Sequence, residues 1–91
     1  MDVNEIKAEF GLPKTAEFRG FIVHLPDSDE FVVSIEVEPS AMRRVFAATP
    51  EAAKIYDCES AAADDAARCK QDTQVAMLFD EDGQLFVVYP E

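Results

Sequence analysis

Three residues of this chain have side chains suited to nucleophilic or metal chemistry: Cys58, Cys69 and His24. A thiol beside an imidazole makes a nucleophile–base couple. His24, however, is the only histidine, it stands in the apolar run "FIVHL", and nothing around it suggests that pairing. One His and two Cys without a C-x-x-C spacing cannot close a zinc site. The acidic turns "DSDE" (27–30) and "DEDG" (80–83) have the composition of calcium loops. Neither has the EF-hand order D-x-[DN]-x-[DN]-G: Gly83 follows too soon in the second turn, and no glycine follows the first. There is no G-x-S-x-G, P-loop or Rossmann fingerprint. The chain is read as a non-enzyme, with no catalytic residue, metal or cofactor expected.

The carboxylates carry more information. Nineteen acidic residues against eight basic ones give a net charge of −11 and an isoelectric point near 4.3. Such a charge disfavours direct binding to nucleic acid or to an anionic membrane and favours a cationic partner. Asp27, Asp29 and Glu30 crowd one turn, and Asp80, Glu81 and Asp82 another. Glu36 and Glu38 are expected to point outward from one strand, about 6.6 Å apart. Asp64 and Asp65 are expected on the exposed side and flank of a helix. These ten residues form the candidate partner-binding set. The only basic doublet, Arg43–Arg44, falls in a strand-like run and would place one guanidinium on each face.

The elements that must position these groups are legible in outline. "VNEIKAEF" (3–10) places Val3, Ile6 and Phe10 on one helical face, and Gly11 and Pro13 end it. "EFRGFIVHL" reads as a strand, with Phe21, Val23 and Leu25 on one face and Gly20 as a bulge. "EFVVSIEVEP" reads as a strand with Phe31, Val33, Ile35 and Val37 inward and Val32, Ser34, Glu36 and Glu38 outward. The two make a hairpin. "AMRRVFAA" predicts a third strand, or the start of a helix. "TPEAA" then predicts a helix, with Thr49 as N-cap and Pro50 at its first position, running toward Lys70. "TQVAMLFDEDGQLFVVYP" closes the chain as a second hairpin around an acidic turn ending in Gly83.

On one continuous helix, Ile55, Cys58, Ala62, Ala66 and Cys69 share an arc of roughly 80° and would form a shallow packing stripe. Asp57, Asp64 and Arg68 fall opposite. The two cysteines would then lie about 16.5 Å apart, beyond the ~7 Å reach of a disulfide. Glu59 fits this wheel poorly. Either it sits on the rim, or the helix breaks there and Ser60 caps a second one.

The expectation is a single acidic α+β domain over residues 1–91. It has an antiparallel sheet of four to five strands in two hairpins, a helix or helical pair on one face, and a short N-terminal helix. Val32 on the outward side of its strand, and Phe86 and Val88 opposite Leu85, Val87 and Tyr89, suggest that both sheet faces carry apolar residues. One would pack on the helices and the other on a partner or a second copy. No apolar run reaches the ~18 residues of a membrane span, and "MDVNEIKAEF" has no signal-peptide pattern. A cytoplasmic protein is expected.

In size and charge the chain resembles the small acidic phage proteins that block host defence nucleases, anti-CRISPR proteins and DNA mimics among them. The resemblance extends to size and charge alone. It implies a non-catalytic inhibitor that occupies a basic, nucleic-acid-binding surface of a partner protein. The alternative is an accessory or oligomerising domain that uses an exposed sheet face or edge, with a homodimer as one form.

Overall fold

The computed structural model describes residues 2–89; Met1, Pro90 and Glu91 of the expected domain lie outside it. Helix α1 (Val3–Glu9) begins at Asp2, whose carboxylate accepts the Asn4 N–H at 3.0 Å. It ends in a reversal in which Gly11 N–H donates to Ala8 C=O and Leu12 N–H to Lys7 C=O. That Schellman pattern requires positive φ at the residue past the helix, and Gly11 has φ +70°. Of the three apolar residues expected on one face, Ile6 is buried, Val3 is half-buried, and Phe10, at the C-cap, stays exposed.

Five strands form one antiparallel sheet in the order β3-β2-β1-β4-β5: β1 (Glu17–Leu25), β2 (Glu30–Glu38), β3 (Ala41–Ala47), β4 (Gln74–Glu81) and β5 (Gln84–Val88). "AMRRVFAA" is thus the third strand rather than a helix start. The β4–β5 turn, Asp82–Gly83, has positive φ at both residues, the I′ geometry that Asp-Gly favours. The register shift between Phe18 and Gly20 is the expected bulge.

The β2 alternation fails, and the cause is a second bulge. Against β3, Val32 faces Phe46 but Ser34 faces Val45, so Val33 is the extra residue and the facing inverts beyond it. Val32, expected outward, is fully buried with Leu25 and Tyr56, and Ile35 and Phe46 pack on the same cluster. Val37, expected inward, is 61% exposed.

The helix expected from Pro50 to Lys70 is also corrected. A 3-10 turn covers Pro50–Ala52, the chain then runs extended, and helix α2 spans only Glu59–Ala66. The break falls at Glu59, with Cys58 rather than Ser60 as N-cap. The extended piece acts as a wedge. Strands β1 and β2 pair only at His24–Phe31 and Leu25–Glu30. Beyond that point Tyr56 exchanges backbone hydrogen bonds with Phe21 (2.8 and 2.9 Å), and Lys54 N–H donates to Val32 C=O (2.9 Å). The sheet forks, and residues 54–56 fill the fork.

Both sheet faces bury apolar side chains. Ile6 of α1 packs on Ala16, Met77, Phe79 and Val88, while Val23, Leu25, Val32 and Tyr56 pack under Ala62 of α2. On the other face, Ile22, Phe31, Ala53, Ala76 and Leu78 cluster with half-buried Leu85, Val87 and Tyr89. That second face is therefore covered in part by the chain itself. No described helix is long and apolar enough to cross a membrane.

Candidate acidic interface

Strand pairing builds the densest group of carboxylates. Glu17 opens β1 and lies directly opposite Asp80 near the end of β4. The I′ turn that follows carries Asp82, and Asp80 Oδ1 accepts the Gly83 N–H at 2.9 Å. Glu81 is held by the Thr15 hydroxyl, which lies 2.7 and 2.8 Å from its two oxygens. Thr15, Glu17, Asp80, Glu81, Asp82 and Gly83 line an open groove of about 520 Å³, with four carboxylates on its walls. Arg19 stands beside it, 3.8 Å from Asp80 and 4.0 Å from Glu17. Contacts that long and that exposed are worth ~0–1 kcal/mol and do not neutralise the group. Glu17 was not in the candidate set. Its role appears only once β1 and β4 are known to be neighbours.

The other acids lie elsewhere. Asp27, Asp29 and Glu30 sit at the far end of β1, roughly 26 Å away at about 3.3 Å per residue. That is about three Debye lengths at physiological salt, so the two ends are screened from each other. Asp29, at φ +53°, is committed locally: its Oδ1 lies 2.9 Å from His24 Nε2, and His24 Nδ1 lies 3.0 Å from the Tyr89 hydroxyl. In the neutral tautomer His24 donates to Asp29 and accepts from Tyr89. Burial raises the Tyr89 pKa, and the Asp29 charge adds to that. Both imidazole nitrogens are thereby engaged, and neither serves a cysteine. Glu36 and Glu38 are exposed on β2 as expected, but Glu36 faces Arg43 across the ladder, whereas Glu38 faces Ala41. Asp64 is exposed on α2.

Asp65 must be removed from the candidate set. It is 7% exposed. Its carboxylate accepts the Tyr56 hydroxyl at 2.6 Å and the Arg68 guanidinium at 2.7 Å, with Lys54 Nζ at 3.5 Å. Burial pushes its pKa up. The hydrogen bonds from Tyr56 and Arg68 and the Lys54 and Arg68 charges outweigh that, so the net shift is downward. The expected exposure came from a wheel that used Ile55 as its inward mark. Ile55 lies in the extended wedge, outside the helix, and is itself exposed.

The cysteine stripe dissolves for the same reason. Cys58 is exposed and Cys69 half-buried, and both thiols are free. The Ser60 hydroxyl, 3.4 Å from Cys58 Sγ, and the Ala61 N–H lower the Cys58 pKa. Burial raises that of Cys69. Of the stripe, only Ala62 is fully buried. Among the described residues, no three His, Cys, Asp or Glu side chains gather as a metal site.

Comparison with models of known protein families, with curated proteins and with solved structures finds no match to this chain.

Proposed function

We propose that this protein is a non-catalytic inhibitor that occupies a basic, nucleic-acid-binding surface of a partner protein in the cytoplasm, in the manner of a phage anti-defence protein. The observation that carries this reading is the groove at the Glu17–Asp82 end. It displays four carboxylates, on the ends of β1 and β4 and in the turn that follows, in a chain of net charge −11. DNA presents one phosphate per ~3.4 Å along each strand, and adjacent strands bring carboxylates to a comparable spacing. A groove built to hold phosphates would meet them at similar intervals. Asp64 and Asp27 add to the long-range field that steers encounter.

The first test is capture from nuclease-treated host lysate on the immobilised protein at low salt, followed by a salt gradient. A nucleic-acid-binding protein should elute as salt rises, and added DNA or RNA should displace it. A partner that stays bound in molar salt, or that ignores competing nucleic acid, would reject charge mimicry. The second test is charge removal. Glu17→Lys with Asp82→Asn leaves the Thr15 and Gly83 hydrogen bonds intact and should slow association with that partner about tenfold or more at low salt. Asp72→Lys, on an exposed loop, should change it far less.

A further inference from the structure

The β2–β3 hairpin is an arm. Every residue from Glu36 to Arg43 is exposed. Beyond Val32, β1 has left the ribbon, and the molecule measures 46 Å along its long axis against 24 and 22 Å across. A lone two-stranded ribbon is marginal in water. This one also exposes Val37, Met42 and Val45, three of the five large apolar side chains exposed among the described residues. The outer edge of β3 pairs with no described strand. Glu36 and Glu38 cancel Arg43 and Arg44, so the net −11 resides on the rest of the chain. The arm thus carries no net charge to repel a second copy.

We propose that β3 pairs antiparallel with β3 of a second copy, about a two-fold axis at Met42. Faces and charges fix the register. A two-fold axis normal to the sheet matches residues of like face, so it passes through one residue and its copy. At Arg43 or Arg44 it would set identical guanidinium groups opposite each other. At Val45 it would draw the two acidic bodies together. At Met42 it does neither. The two-residue Pro39–Ser40 loop closes on a hydrogen-bonded Glu38–Ala41 pair. Val37–Met42 is then a non-hydrogen-bonded pair, and the Met42 N–H and C=O face the free edge, ready to bond their copies.

The resulting rows are complementary. One reads Val37, Met42, then the second copy's Met42 and Val37. The next reads Glu36, Arg43, then the second copy's Ala41 and Glu38, with Arg43 reaching over the small Ala41 toward that Glu38. The bodies hang at opposite ends of a four-stranded ribbon. This pairing stands independently of the inhibitor reading.

Sedimentation equilibrium tests it. A concentration-dependent dimer is expected, and it should tighten as salt screens the body–body repulsion, the opposite salt response to the inhibitor's partner. Met42→Lys should weaken it about tenfold or more with an unchanged circular dichroism spectrum, since Met42 is exposed. In a Cys58→Ser/Cys69→Ala background, Met42→Cys should crosslink on mild oxidation, because Cα atoms of such a pair lie ~5.5 Å apart. Ala41→Cys, out of register with its own copy, should not. A chain that stays monomeric at all concentrations and salts, a dimer indifferent to Met42→Lys, or equal crosslinking by both cysteines overturns the proposal. So does a monomer whose Met42→Lys variant loses a basic partner instead, since the arm then belongs to that partner.

Discussion

Gly20→Ala is expected to destabilise the domain by about 3–5 kcal/mol, enough to unfold much of it if its stability lies at the lower end of the usual 5–15 kcal/mol range. A Cβ at this position would stand 2.6 Å from Ile55 Cγ2 and 2.7 Å from the Tyr56 carbonyl oxygen. Ile55 is half-exposed and its side chain can swing away. The Tyr56 oxygen cannot, because it accepts the Phe21 N–H at 2.9 Å and belongs to the backbone that fills the sheet fork. Relief of the clash therefore means withdrawing the wedge, which breaks both Phe21–Tyr56 bonds and strains the Lys54–Val32 bond. Gly20 also has φ +141°, a conformation an L side chain tolerates poorly, adding about 1–3 kcal/mol of backbone strain to a similar overpacking term. Gly83→Ala is the control. Its φ is +88°, but nothing lies within 4 Å of the added methyl, so only the strain remains. Urea denaturation of the two variants should separate them by about 1–3 kcal/mol. A Gly20→Ala midpoint close to that of Gly83→Ala would mean that the wedge does not hold the fork.

That wedge also marks where the sequence stopped being informative. The local signals were readable because their causes are local. Asp82–Gly83 announces a I′ hairpin, Gly20 a bulge, and the broken "VNEIKAEF" periodicity a short helix. The run from Pro50 to Lys70 misled because its strong helix start and its alanines favour helix on both sides of Ile55–Cys58, while the extended backbone of residues 54–56 is imposed by Phe21 and Val32, some thirty and twenty residues earlier. The second bulge escaped for a like reason. The Phe31–Val32–Val33 run reads equally well as a strand with apolar residues on both faces, and Val33 becomes the extra residue only through its register against β3. The candidate interface divides along the same line. Asp27, Asp29 and Asp82 stayed in the solvent, as turn chemistry favours, whereas Glu30, Asp80 and Glu81 are half-buried. Glu17 entered the groove through strand order, and Asp65 left it through a tyrosine nine residues away.

Asp65→Ala is expected to cost about 2–4 kcal/mol, a large effect for a residue whose spacing marks it as surface. The Tyr56 hydroxyl is buried, and its partner is Asp65 at 2.6 Å. Removing the carboxylate strands that donor, which by itself costs about 1–3 kcal/mol. The Arg68 pair adds less, because Arg68 is about half exposed and solvent screens it. Lys54, 4.9 Å over the Tyr56 ring, loses its anionic neighbour as well. Since Tyr56 is the last residue of the wedge, the network ties α2 to the fork. The pH dependence gives the sharper test. The folded-state Asp65 pKa lies below its ordinary value of about 3.9. Its contribution is therefore complete above pH ~4 and drains away as pH falls through the folded pKa. Tyr56 works in the opposite sense. Burial first, then the hydrogen bond to Asp65, drives its pKa well above the ordinary value of about 10. Its contribution is complete below that value and declines as pH rises past it, where only the unfolded chain ionises. Asp65→Asn should flatten the acid limb of stability against pH, and Tyr56→Phe should reduce the alkaline limb to the share left by Tyr89 and Cys69. In a double-mutant cycle the two positions should couple by about 1–2 kcal/mol. Additive losses with both limbs unchanged would show that the carboxylate and the phenol do not hold the wedge in place together.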